Sequence, residues 1–216
     1  MSSAPTIAVV DYDMGNLHSA CKGLESVGAR TQVTADANEM DAADAILLPG
    51  VGAFDPAIAH LRERDLIDPL RQLAAAGKPL LGICLGQQVL FEGSDEGREA
   101  GLGILPGRVT RFRSEPGLTI PHMGWNSLAL TQPHCPLWRG LGEHPWMYFV
   151  HSYFVVPADD QLNAATVRHG SQTVTAAIAQ GRVLACQFHP EKSATAGLAL
   201  LKNFVDWVAE GAPSPT

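Results

Sequence analysis

Residues 79–91 limit what this chain can fold into more than any other stretch of its sequence. An unbroken apolar run at residues 80–83 is typical of a strand buried on both faces of a sheet. Cys84 follows directly, and from residue 85 to residue 90 the apolar positions fall at helical spacing. This order predicts a sharp strand-to-helix turn that lifts the cysteine out of the sheet.

Gly82 and Gly86 flank the cysteine two residues to either side. A turn this tight needs neighbours without a bulky Cβ, so the spacing favours a nucleophile elbow with sulfur as the nucleophile. The first turn of a helix favours a thiolate at Cys84, and the Leu85 N–H would point to where an oxyanion forms. The alternative is a buried structural cysteine at a tight turn.

Composition predicts one α/β domain over residues 1–216, with a core at about 6–209 and short disordered ends. The net charge of −7 and the lack of a basic run argue against nucleic acid or anionic membranes as partners. The start has no signal-peptide pattern, and no segment is apolar enough to span a bilayer. Scattered cysteines argue against a zinc site or disulfides, so we expect a cytoplasmic protein without metal or cofactor.

Strands and helices alternate in the first half of the chain, which is typical of a parallel sheet with ligands at the carboxyl ends of its strands. The predicted strands are 6–10, 30–34, 45–48 and 80–83. The predicted helices are 17–27, closed by Gly28, and about 56–76, broken near Arg64 and Asp65.

The second half has a different pattern. Short β-like runs separated by Pro, Gly and Asn between residues 107 and 179 predict antiparallel strands appended to the parallel core. A buried strand is expected at 183–188 and a closing helix at about 195–209. The helix has one apolar face, made of Leu198, Leu201, Phe204, Val205 and Val208. Residues 211–216 have the composition of a disordered tail.

A nucleophilic thiolate needs a base and a group that orients the base. His189 and Glu191 follow the last predicted strand, and Pro190 between them favours extended geometry that turns both side chains toward one side. Glu191 would then fix the imidazole tautomer. The motif alone is weak, and His122 and His151 stand in similarly informative stretches.

With these segments together, the chain resembles the triad-type (class I) glutamine amidotransferases, whose hallmarks are a Gly-x-Cys-x-Gly elbow and a late His-x-Glu pair. The segments that carry the resemblance are 49–54, 82–88, 121–126, 148–153 and 187–193. The stretch at 121–126, Pro-His-Met-Gly-Trp-Asn, is typical of the glutaminase subunits of histidine biosynthesis. Asp13 departs from the family, which usually has glycine at that position.

The resemblance implies that Cys84 attacks the glutamine carboxamide, that His189 moves the protons and that Glu191 orients His189. It implies a flavodoxin-like fold and substrate binding by Gln88, on the exposed side of the elbow, and by His151, Ser152 and Tyr153. The alternatives are a solvated helix residue for Gln88 and an ordinary strand end for the other three.

A second oxyanion donor must come from a neighbouring loop, and the Pro-Gly-Val-Gly stretch at 49–52 is the best candidate. Gly50 and Gly52 would let the peptide around Val51 rotate. We hypothesise that the Val51 N–H points away from the site in the isolated subunit and turns inward when a partner subunit binds its ligand. The alternative is a tight turn whose glycines serve steric needs.

A glutaminase also needs an acceptor for its ammonia, and the family resemblance supplies one. It implies a heterodimer with a (β/α)₈-barrel cyclase that makes imidazole glycerol phosphate and aminoimidazole carboxamide ribonucleotide. Asn16, Trp125 and Lys192 would lie at the interface. Three alternatives are another amidotransferase subunit, such as that of anthranilate synthase, a non-catalytic scaffold, and a stand-alone cysteine hydrolase.

Overall fold

The structure is a computed structural model that describes residues 4–213. Its strands are β1 Thr6–Val10, β2 Arg30–Thr34, β3 Ala45–Gly50, β4 Leu80–Cys84, β5 Gly107–Arg111, β6 His122–Ser127, β7 Ala129–Leu130, β8 Trp146–His151, β9 Tyr153–Pro157, β10 Asn163–His169, β11 Gln172–Gln180 and β12 Val183–Cys186. Its helices are α1 Leu17–Ser26, α2 Ala37–Ala42, α3 Phe54–Glu63, α4 Ile67–Ala75, α5 Leu85–Val89 and α6 Ala194–Ala209.

One eight-stranded sheet organises the chain, in the order β2-β1-β3-β4-β12-β11-β10-β7. The first five strands in this order (β2, β1, β3, β4 and β12) run parallel to one another. The last three, β11, β10 and β7, extend the sheet by antiparallel pairing. Two small antiparallel pairs, β5–β9 and β6–β8, complete the described strands. The predicted fold class, a mostly parallel sheet flanked by helices with antiparallel strands appended, is confirmed.

The central strands are apolar throughout because both faces of the sheet are covered. Alternate residues of β1 and β3 enter different clusters: Val9 and Leu47 pack on one face, and Ala8 and Ile46 on the other. All four side chains are fully buried. The sheet is therefore fixed from both sides, and functional side chains must project from its ends.

The predicted break in the long helical pattern is confirmed. Helix α3 ends at Glu63 and α4 begins at Ile67, with Asp65 between them in the left-handed region at φ 54°. Helix α1 ends one residue earlier than predicted, before Gly28 at φ 100°. Helix α2 was not predicted, because six residues carry too little periodicity to recognise.

The predicted apolar face of the last helix is partly wrong. Leu198 is 38% exposed, whereas Leu200 and Trp207 are buried. Position 198 lies just beside the stripe of residues 197, 201, 204 and 208 that faces the core, and α6 buries a wider surface than the predicted face. The preceding strand also ends earlier than predicted, at Cys186.

Within the predicted tail, the structure describes residues 211–213, and the Trp207 indole N–H donates a 2.9 Å hydrogen bond to the Pro213 carbonyl. Residues 214–216, like residues 1–3, lie outside the described part of the chain. Between residues 4 and 213, none of the helices has the length and apolar character needed to cross a bilayer.

Candidate active site

The carboxyl ends of the parallel strands β3, β4 and β12 meet beside a cavity of about 350 Å³. Small-molecule pockets fall in the range of roughly 300–1,000 Å³, so the cavity suits an amino-acid-sized ligand. Most of the side chains and peptides that the sequence predicts to form the site line it, namely Val51, Gly52, Cys84, Leu85, Gln88, His151, Ser152, Tyr153 and His189.

Cys84 is the last residue of β4 and the residue before α5, with φ 56° and ψ −110°. Few non-glycine residues adopt such a positive φ, and functional turns are where this strain is found. The side chain is only 8% exposed, and that exposure is to the cavity. The predicted strand-to-helix turn is therefore present, with the thiol at its apex.

Both glycine positions of the turn are crowded, and position 86 is the more severely crowded of the two. A Cβ on Gly86 would lie 1.8 Å from the Leu48 carbonyl oxygen, and one on Gly82 would lie 3.0 Å from the Gly86 carbonyl oxygen. Real Cβ contacts are never as short as the first of these distances. The elbow can therefore pack against β3 only with glycine at position 86.

Helix α5 is only five residues long, so its dipole gives Cys84 less support than the sequence interpretation assumed. The Leu85 N–H is the first of the helix, where no partner exists within the helix itself. Leu85 lines the cavity, and its N–H stays the predicted first oxyanion donor.

His189 and Glu191 form a buried pair, with 2.8 Å between Nδ1 and Oε1. Burial disfavours the charged imidazole, but interactions with Cys84 and Glu191 outweigh it and raise the pKa of His189 to about 9. The ring is therefore protonated at neutral pH and faces the same cavity as the thiol. This arrangement matches a thiolate–imidazolium pair oriented by a carboxylate.

Gln88 is buried, with only 5% of its surface exposed. The sequence interpretation, which placed it on the exposed side of the elbow, is wrong on this point. Its Nε2 donates to the Tyr153 carbonyl at 3.1 Å and to Gln187 Oε1 at 2.9 Å. Strands β9 and β12 pack over α5 and cover this side chain, which a helical pattern cannot reveal. Gln88 thus lies at the cavity wall with its amide N–H groups already engaged.

Gln187 is a site residue that the sequence interpretation quoted but gave no role. It is fully buried, and its Nε2 lies 3.7 Å from Cys84 Sγ. Glu96, also missed, lines the cavity while one carboxylate oxygen accepts from the Phe54 N–H. The position of Gln187 two residues before His189, on the same face of an extended segment, was the one available signal.

Residues 49–52 hold their predicted place beside the elbow, but the Val51 N–H is turned away from the cavity. It donates a 2.6 Å hydrogen bond to the Met14 carbonyl. Gly52 has φ 109°, whereas a Cβ on Gly50 would lie 2.4 Å from the Tyr12 hydroxyl. Gly52 is thus needed for its conformation and Gly50 for space.

The Met14 carbonyl belongs to the loop that contains Asp13, where the family usually has glycine. Asp13 has φ 62°, a conformation that glycine adopts freely and aspartate tolerates better than most residues. Its carboxylate forms an ion pair with Arg64. The departure from the family therefore leaves the glycine-like backbone in place.

His151, Ser152 and Tyr153 connect β8 to β9 at the cavity. The His151 ring points inward, and its Nδ1 lies 2.8 Å from the Tyr153 carbonyl. The imidazole Nδ1 is therefore engaged within the wall, and all three residues line the cavity. The segment is a strand junction at the cavity wall, and its role in substrate binding stays a prediction.

The three predicted interface residues are exposed near the site. Trp125 is 49% exposed and packs edge-on against Tyr148 with ring centroids 6.1 Å apart. Lys192 is exposed in the turn that holds Glu191. Asn16 is exposed, but its side chain also caps α1 by accepting from the Ser19 N–H.

Comparison with known proteins agrees with this geometry. The family model described as glutamine amidotransferase class-I matches residues 8–207. The chain belongs to this family. It is similar to the imidazole glycerol phosphate synthase subunit HisH of Synechococcus elongatus, with 71% identity over 97% of this chain and 96% of that protein. The protein of the same name from Trichodesmium erythraeum is 63% identical over 94% and 95% of the two chains.

Solved structures show the same class I amidotransferase fold at much lower identity. A glutamine amidotransferase and PurLQS from Thermotoga maritima each superpose with a TM-score of 0.72 at 21% identity. Each alignment covers 94% of this chain, and 98% and 99% of the two structures respectively.

We predict that Gly86→Ala destabilises the protein by about 1–3 kcal/mol, because the new methyl group would overlap the Leu48 carbonyl. Chemical denaturation measures the loss. Gly93→Ala is the matched control, since its methyl group would meet the flexible end of the Arg108 side chain at 3.3 Å and the Glu99 carbonyl oxygen at 3.8 Å, an ordinary contact distance. Equal stability of the two variants would contradict the steric argument.

We also predict that His189→Ala slows iodoacetamide alkylation of Cys84 at pH 7 by roughly ten- to thirty-fold, since a free cysteine is only a few per cent thiolate there. Alkylation of the variant should then rise more steeply between pH 7 and pH 9 than alkylation of the unsubstituted protein. Cys84→Ala gives the background from the partly exposed Cys21. An unchanged pH profile in His189→Ala would remove His189 as the group that activates the thiol.

Proposed function

We propose that this chain is the glutaminase subunit of an imidazole glycerol phosphate synthase. It hydrolyses glutamine to glutamate and passes the ammonia to a cyclase subunit in histidine biosynthesis. The observation that carries the proposal is the buried thiol–imidazole–carboxylate arrangement of Cys84, His189 and Glu191 at one cavity. The high identity to the HisH relatives over almost the whole chain supports a cyclase subunit as the acceptor of the ammonia.

In the proposed reaction, Cys84 Sγ attacks the side-chain carbonyl carbon of glutamine and forms a tetrahedral oxyanion. The protonated His189 gives its proton to the amide nitrogen, so ammonia leaves and a glutamyl thioester remains. His189 then takes a proton from water as the water attacks the thioester, and the collapse of the second oxyanion releases glutamate and the thiolate. Glu191 holds the imidazole in the required tautomer throughout.

The cavity also offers partners for the charged end of glutamine. The carboxylate of Glu96 suits an α-ammonium group, and Ser152 and Tyr153 lie along the wall that would hold the α-carboxylate and backbone of the substrate. Gln88 and Gln187 lie beside the thiol, where they position the wall and the nucleophile. Specificity for an amino acid follows from these polar groups in a small cavity.

The partner is proposed to be a (β/α)₈-barrel cyclase that receives ammonia through its interior, since free ammonia in water would be lost as ammonium. One face of the β6–β8 ribbon fits such a partner. Met123, Trp125 and Trp146 are exposed on it, and Val150 of the same face lines the cavity. Exposed aromatic residues are typical of docking surfaces, and this surface, with Asn16 and Lys192 nearby, adjoins the proposed source of ammonia.

In the conformation described, Leu85 can supply one oxyanion donor, and the second candidate, the Val51 N–H, is held by the Met14 carbonyl. We propose that this is the resting state and that the partner with its nucleotide bound releases the Val51 peptide. A waiting state of this kind would couple glutamine hydrolysis to the presence of an acceptor.

Cys84→Ala should abolish glutaminase activity while the complex with the cyclase still makes product from added ammonium, because the thiol serves only the glutamine half-reaction. Both rates can be measured on one preparation with the phosphoribulosyl-formimino aminoimidazole carboxamide ribonucleotide substrate. If ammonium-driven synthesis also disappears in a complex that still assembles, the proposed division of labour is wrong.

Val51→Pro should lower ligand-stimulated glutaminase activity by about 10²–10³-fold, the usual cost of one lost oxyanion donor, because proline has no N–H. Steady-state glutamate release in the assembled complex measures the change. Val51→Ala keeps the N–H and should remain near the unsubstituted rate. Near-normal stimulated activity in Val51→Pro would exclude this donor.

A further inference from the structure

Two buried histidines behind the cavity are joined in a chain of hydrogen bonds. His122 Nδ1 lies 3.0 Å from His151 Nε2, and His151 Nδ1 lies 2.8 Å from the Tyr153 carbonyl oxygen. At the other end, Asn126 Nδ2 lies 3.2 Å from His122 Nε2 and also donates to the Arg168 carbonyl. The chain thus runs from the β6 strand to the wall of the cavity.

The Tyr153 carbonyl at the end of this series of hydrogen bonds fixes the direction of every bond in it. A carbonyl oxygen only accepts, so His151 Nδ1 must carry the proton and donate it to Tyr153. A neutral His151 then has a lone pair on Nε2, which requires the proton of His122 on Nδ1. His122 Nε2 is left to accept from the Asn126 amide, which is a donor at that atom.

Both rings are neutral at physiological pH, as this direction requires. They are 4% and 6% exposed, and burial is the main cause that lowers the pKa of His122 to about 4 and that of His151 to about 3. The neighbouring His169, stacked on His122 with ring centroids 4.3 Å apart, adds to the lowering for both. Each ring therefore carries one proton on its two nitrogens.

The receiving carbonyl is a fixed point of the cavity wall. Tyr153 oxygen accepts from His151 on one side and from Gln88 of the elbow helix on the other. Gln88 is bonded in turn to Gln187, which reaches Cys84 Sγ. The segment 151–153 is thus held between the histidine chain and the nucleophile turn, and a change in either would move the wall.

We propose that His122 is a positioning residue for glutamine: it donates to the buried Nε2 of His151 and so holds the His151 ring and the 151–153 wall in the substrate-binding shape. The proposal rests on the proposed function, in which this wall holds the substrate. Without the His122 donor, His151 Nε2 would be a buried acceptor with no partner, and burying such a group is costly. His151 cannot remedy this by moving its proton to Nε2, because Nδ1 would then turn a lone pair toward the Tyr153 carbonyl oxygen. The ring would instead rotate away from that carbonyl, which releases the wall.

Packing is the competing explanation, since His122 also stacks on Phe149 with ring centroids 4.7 Å apart. Two substitutions separate the explanations because their expected effects are opposite. His122→Phe keeps a stacked ring and removes the donor. His122→Asn removes the ring but places an amide N–H where Nδ1 had been. A hydrogen-bond role makes Phe the worse replacement, and a packing role makes Asn the worse one.

The test measures glutamine turnover by both variants in the ligand-loaded complex with the cyclase. We expect His122→Phe to raise KM for glutamine about ten-fold with kcat changed much less, and His122→Asn to stay within about three-fold of the unsubstituted KM. A KM unchanged in His122→Phe, or raised more in His122→Asn than in His122→Phe, would overturn the proposal.

A second measurement needs neither a substituted protein nor substrate. Long-range ¹⁵N–¹H correlation spectra of the unsubstituted chain should show both His122 and His151 as Nδ1–H tautomers, the minor form of free histidine. An Nε2–H tautomer at either ring would contradict the proposed hydrogen-bond direction from His122 through His151 to the Tyr153 carbonyl, and would overturn the proposal. Failure of the proposed function would instead show as an unsubstituted complex that does not hydrolyse glutamine, whatever the tautomers.

Discussion

The left-handed backbone of Cys84 is the constraint on which the rest of the site depends. A non-glycine residue in such a conformation costs about 1–3 kcal/mol and persists only where its surroundings enforce it. Here β4 is hydrogen-bonded on both sides, to β3 and β12, and Gly86 lies against the Leu48 carbonyl. The same two neighbours of β4 carry the loop of Val51 and the His189–Glu191 pair, so the same three strands position the strained turn and the candidate active-site residues around it.

Around that turn, the wall is made of polar side chains that satisfy one another rather than of packed hydrocarbon. Gln187, Gln88 and the Tyr153 carbonyl form a continuous path away from the thiol. Buried polar groups are costly when unpaired, so each partner restricts the geometry of the next. A small cavity can therefore keep its shape without a ligand, which suits the proposed role of Cys84 as a nucleophile that waits for glutamine.

Local patterns in the sequence were enough to predict the sheet, the elbow and the placement of His189 beside its acid. These features are written in a few consecutive residues: an apolar run, two glycines around a cysteine, a proline between His189 and Glu191. Gln88 and Leu198 were placed wrongly because their exposure depends on what distant segments cover. Gln187 and the bond from His122 to His151 join residues far apart in the chain, and no periodicity along the sequence encodes such contacts.

The β6–β8 ribbon connects the proposed partner surface with the interior of the site because its residues alternate between two faces. On the outer face, Trp125 lies opposite Tyr148 and Met123 opposite Val150. On the inner face, His122 lies opposite His151, between the Asn126 amide and the cavity wall. A partner that shifts the exposed face must therefore shift the inner hydrogen-bonded pair as well, since both belong to the same two strands. The short stretch at 121–126 thus belongs both to the proposed docking surface and to the strand that supports the proposed substrate wall, because its residues alternate between the two faces.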